Sequence, residues 1–168
     1  MNEAYPNEWS RLDGFAYLSD LSLMRLRTAV RTREGADANY IVQHAYTCAV
    51  EVDGVRHVLE APRGFITDLT SVPPLFRVFV GRVGPWLEGA VLHDWLYVAW
   101  RLEPDRGVRS RDRLFADRVF LPAMEAAGVR RWRRWAIYAA VRLFGRSFYE
   151  NTEGPILADL GAPPPNMV

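Results

Sequence analysis

The sequence contains no lysine; all 21 of its basic residues are arginine. A coding bias toward GC-rich codons accounts for that, and no mechanism follows from it. With 20 acidic residues the formal net charge is only +1. The basic excess by which nucleic-acid binders displace counterions is therefore missing, and no nucleic-acid partner is expected. Cys48 is the single cysteine, which excludes an intrachain disulfide and a cysteine-rich zinc site. No stretch approaches the ~18 uninterrupted apolar residues of a spanning helix. Residues 1–10 lack the basic start and apolar run of a signal peptide, so the expected place is the cytoplasm.

What is present suffices for a packed core: 49% of residues are hydrophobic and 12% aromatic. The pattern predicts one α+β domain over residues 1–150 and a loosely ordered tail over 151–168, where Pro163-Pro164-Pro165 cannot continue a helix. Residues 21–33 and 40–52 read as strands. Asp53-Gly54 marks a tight hairpin turn into a strand over 55–61. Residues 63–85 form a connection rich in turn formers, with a short helix or strand expected over 75–80. Three helices follow. The first covers 86–101 behind Pro85, a first-turn proline. The second starts at an N-cap Ser110 and runs to about 127, with a kink expected at Pro122. The third covers 129–144 and stops at Gly145. An antiparallel β meander packed on a three-helix layer is the expected architecture.

The faces of the first two helices carry the chemistry. Leu114, Asp117, Leu121 and Met124 fall on one stripe, so Asp117 interrupts an apolar face and requires a partner. Ala90, His93, Tyr97 and Trp100 form the corresponding stripe on the first helix, where His93 and Tyr97 lie one turn apart. Consecutive helices joined by a short loop pack antiparallel, which brings Asp117 toward His93. A carboxylate on one imidazole nitrogen fixes the tautomer and makes the other nitrogen more basic. Asp94 points about 100° away from His93 toward whatever lies beside it, for which the Gly-rich loop just upstream is the candidate.

A bland reading stands beside this one, because a buried His–Asp pair also serves as a purely structural hydrogen bond. The turn-rich connection adds Thr67, Asp68 and Ser71. Asp68 is read as an added metal ligand or second carboxylate of the His93–Asp94 site. Ser71 is read as a turn former, since no Gly-x-Ser-x-Gly context surrounds it. His44 and His57 are read as ordinary residues, one exposed and one half-buried. A metal phosphohydrolase using His57 ranks below the other readings, because that superfamily is all-helical and His57 lies on a predicted strand.

Two resemblances rest on these residues. The segments Gly64-Phe65-Ile66-Thr67-Asp68-Leu69-Thr70-Ser71-Val72-Pro73, Ala90-Val91-Leu92-His93-Asp94-Trp95-Leu96-Tyr97 and Ala116-Asp117-Arg118-Val119-Phe120 resemble a phage- and prophage-associated family, domain of unknown function 1353. That resemblance implies a phage or prophage context, with phage structural proteins as partners and the phage particle as a second possible location. His93-Asp94-x-x-Tyr97 followed by Ala116-Asp117-x-x-Phe120 is similar to the two-helix core of phospholipase A2. This second resemblance implies that His93 is the general base, Asp117 its orienter and Asp94 a calcium ligand. It also implies a lipid surface as partner. The sequence departs from that family in having only Gly81-Arg82-Val83-Gly84 as an approximate calcium loop, and in lacking disulfides. The rival expectation is a non-enzymatic phage tail or assembly module in which the cluster is a structural network.

One further motif is Arg130-Arg131-Trp132-Arg133-Arg134-Trp135 at the start of the third helix. Arginine with tryptophan suits a membrane surface or phosphates. The ordinary alternative is an amphipathic helix with solvated arginines and aromatic rings on the core.

Overall fold

The computed structural model describes residues 4–25, 40–67, 84–151, 153–158 and 160. Within them the chain is α+β, with antiparallel strands in two small sheets followed by three helices. The strands are β1 (Leu12–Tyr17), β2 (Leu23–Arg25), β3 (Tyr40–Val42), β4 (Tyr46–Val52), β5 (Val55–Ala61) and β6 (Ile66–Thr67). One sheet has the order β1-β4-β5 and the other β2-β3-β6. The single meander expected from sequence is thus divided between two sheets. The expected short element over 75–80 lies outside the described residues.

The β4–β5 hairpin forms where Asp53-Gly54 places it. Both turn residues have positive φ, 51° and 80°, as the primed turns of two-residue hairpins require. The Asp53 carboxylate also accepts hydrogen bonds from the Ser10 and Arg11 amides and the Ser10 hydroxyl, tying down the chain before β1. Sequence reading did not find β1. Its strand alternation is broken by Asp13-Gly14, and the register with β4 shifts between Asp13 and Phe15. A bulge of this kind hides the period-2 signal.

The helices are α1 (Leu87–Val98), continued by a 3-10 turn (Ala99–Leu102), α2 (Ser110–Ala126) and α3 (Arg131–Glu150). Three details differ from the sequence expectation. Pro85 lies before the N-cap, Trp86, rather than in the first turn of α1. Ser110 is the first residue of α2 and Arg109 its N-cap, with no side-chain cap bond. That loop is instead held by Arg106, which makes a two-pronged ion pair with buried Asp112 at 2.7 and 3.0 Å and a third bond to Glu103. Pro122 sits inside α2, which continues past it to Ala126 as expected. Finally, α3 does not stop at Gly145 but runs through it for another turn and more.

The main core joins the sheets to the helices, with Val50, Leu59 and Phe65 packing with Leu92, Leu96, Phe115 and Tyr149. Each such side chain contributes about 2 kcal/mol on burial. A second cluster of Trp86, Phe120, Met124, Val129, Ile137 and Val141 closes the other end of the helical layer. The Tyr17 hydroxyl donates to the Ala123 carbonyl at 2.8 Å, fixing α2 against β1. After α3 the chain returns to the second sheet, where Phe65 pairs with Leu157 and Ile156 is buried.

Candidate functional site

Gly89 on α1 lets α2 come close. A Cβ at position 89 would lie 3.2 Å from both the Ala123 methyl and the Phe120 ring. This approach brings the polar positions of the two apolar stripes together. Nε2 of His93 lies 2.9 Å from Oδ1 of Asp117. The Tyr97 hydroxyl donates to the same oxygen at 2.6 Å. The other carboxylate oxygen, Oδ2, accepts from Nη1 of Arg142 at 2.7 Å. Asp117 is fully buried and His93 is 5% exposed.

The chemistry of the carboxylate sets the tautomer. An ionised carboxylate only accepts, so Nε2 of His93 carries the hydrogen and Nδ1 holds the lone pair. Burial alone pushes the Asp117 carboxyl up. Hydrogen bonds from His93, the Tyr97 hydroxyl and the Arg142 guanidinium outweigh it and hold Asp117 below its ordinary value. Burial and the neighbouring carboxylate push the Tyr97 hydroxyl well up, so it remains a donor. The imidazole is held from both sides, tilted on Tyr97 at 4.1 Å between ring centroids and stacked on Phe120 at 4.8 Å. Such a ring loses little freedom when it acts.

Asp94 faces away from this network. Its Oδ2 accepts from the Thr67 hydroxyl at 2.7 Å, which ties the end of β6 to α1. Thr67 is buried and Asp94 half-buried. The other two residues singled out from this segment, Asp68 and Ser71, lie outside the described residues, as do Gly81, Arg82 and Val83. Among the described residues no three His, Cys, Asp or Glu side chains are grouped to hold a metal ion. The calcium implied by the phospholipase resemblance therefore has no complete site among them. Asp94 would hold such an ion only with ligands from outside them. His44 is exposed and His57 half-buried; neither joins the cluster.

Arg142 is the member that sequence reading missed. It sits on α3 in a helix whose arginines read as solvated, and nothing in its neighbours marks it as inward-reaching. Gly145, one turn later, shows what its approach requires: a Cβ there would lie 2.5 Å from the Tyr97 hydroxyl oxygen. Only a glycine allows α3 this close to the network. The glycine that resembles a helix stop is a packing contact.

The family model of DUF1353, described as a protein of unknown function, matches residues 41–141, and the chain belongs to that family. The match contains His93, Asp94, Tyr97 and Asp117 and ends just before Arg142. Searches of curated proteins and of solved structures found no match.

Proposed function

We propose that this chain is a phage- or prophage-derived accessory protein whose α1–α2 junction is a hydrolase site similar to that of phospholipase A2. The observation that carries this reading is the Nε2–Oδ1 bond of His93 and Asp117, which leaves the Nδ1 lone pair as the base. In this reading a water proton passes to Nδ1 while the water oxygen attacks an ester carbonyl. The imidazolium so formed is stabilised by the Asp117 carboxylate, which Tyr97 and Arg142 hold in place. Collapse of the tetrahedral oxyanion then breaks the ester C–O bond, and the departing alkoxide takes the proton back from Nδ1. Asp94 is the calcium ligand that the resemblance implies, and Asp68 is read beside it as an added metal ligand.

The burial of the same cluster favours a second reading. Asp117 is inaccessible and takes donors from α1 and α3 while lying on α2, so it fixes three helices at once. In a non-enzymatic tail or assembly module that would be its whole role. Calorimetric titration with Ca²⁺ and Zn²⁺ separates the two. Metal binding by the wild type that is lost in Asp94→Asn supports the hydrolase. If no metal binds, and Asp94→Asn and His93→Ala only lower the melting temperature, the cluster is structural.

A further inference from the structure

The third helix carries a surface that the His93 cluster does not use. Trp132, Trp135 and Leu143 are 60%, 49% and 73% exposed. With Ala139 they fall at i, i+3, i+7 and i+11, so they form one solvent-facing stripe, about 16 Å long at 1.5 Å per residue. The core-facing side of the same helix is satisfied separately by Ile137, Ala140, Val141, Gly145 and Tyr149. The tryptophans are therefore not needed for packing. Trp135 touches Tyr138 edge-on, and the Arg133 guanidinium lies over Trp132, which leaves their outer faces to solvent.

The charge along the stripe is carried by arginine. Residues 130–146 include six arginines and no acidic residue. Glu125 engages Arg134, Glu150 engages Arg146, and Asp117 engages Arg142. Arg130 and Arg131 stand exposed beside Trp132. Indole rings settle at the boundary between headgroups and acyl chains, where an apolar body and a polar N–H are both accommodated. Each arginine near an anionic membrane surface adds attraction of about 1 kcal/mol. Protruding indoles and a leucine, with the exposed Arg130 and Arg131 beside Trp132, complement an anionic lipid surface.

We propose that the outer face of α3 docks on anionic lipid bilayers, with the helix lying in the membrane plane and Trp132, Trp135 and Leu143 entering the headgroup layer. No helix among the described residues is long and apolar enough to cross a membrane, so the contact is peripheral. The inference stands whether or not His93 performs chemistry.

The test is co-sedimentation of the full chain with vesicles of phosphatidylcholine alone and of phosphatidylcholine mixed with phosphatidylglycerol. The wild type pellets with the mixed vesicles, less so in high salt, and only weakly with neutral ones. The double variant Trp132→Ser/Leu143→Ser loses about tenfold in partitioning, as removal of buried apolar area requires. Arg130→Gln/Arg131→Gln weakens binding and reduces its salt dependence. All of these positions are exposed, so the variants keep the wild-type melting temperature. Equal binding to neutral vesicles, or wild-type binding by the double variant, overturns the proposal. So does self-association of the wild type through this face, abolished by Trp132→Ser/Leu143→Ser, without vesicle binding.

Discussion

Arg142 and Asp117 meet at 2.7 Å on the carboxylate oxygen that His93 does not use. One buried carboxylate therefore orients the histidine with one oxygen and anchors the third helix with the other. Arg142→Leu removes the anchor but leaves the His93 and Tyr97 bonds. We expect a loss of about 1–3 kcal/mol, the cost of removing one charged partner from a buried acceptor that keeps two others. Chemical denaturation of the variant and the wild type measures it.

Gly145 supplies a case in which a better helix former destabilises. At an exposed mid-helix site Gly→Ala stabilises by up to about 1 kcal/mol. Here the new methyl meets the Tyr97 hydroxyl, so Gly145→Ala lowers the melting temperature. Tyr97→Phe removes the obstructing oxygen. The double variant Gly145→Ala/Tyr97→Phe is therefore less destabilised than the sum of the single changes, a coupling that a double-mutant cycle reads directly.

The pH dependence follows from Asp117. Its folded-state pKa lies below the ordinary 3.8, so the stability it confers is complete above that value. It is lost as pH falls through the folded-state pKa, because protonation then breaks the bonds from His93 and Arg142. Thermal unfolding followed below about pH 4 shows a steeper fall in the wild type than in Asp117→Asn. Parallel curves would mean that folding does not lower the Asp117 pKa.

The helical half of the fold was legible because its signals are periodic. His93, Tyr97 and Asp117 stand out as polar breaks in apolar stripes, and two short-linked helices leave few ways to pack. The hairpin was legible because Asp53-Gly54 suits only a narrow class of turn. β1 was not, since Gly14 and its bulge disturb the alternation. Arg142 was not, since an arginine that reaches inward from a basic helix looks the same in sequence as its solvated neighbours. Gly145 misled for a related reason: a glycine that ends a helix and one that admits a tyrosine are the same letter.

The central claim is that His93 acts as a base, and fatty-acid release from phosphatidylglycerol vesicles in the presence of Ca²⁺ tests it most directly. His93→Asn is the variant of choice, because its amide keeps a donor for Asp117 and so separates chemistry from folding. The account predicts release by the wild type and a loss of at least about 100-fold in a folded His93→Asn protein, the usual contribution of a general base. No release by the wild type, or equal release by the variant, would contradict it and leave the cluster as the polar network that locks three helices together.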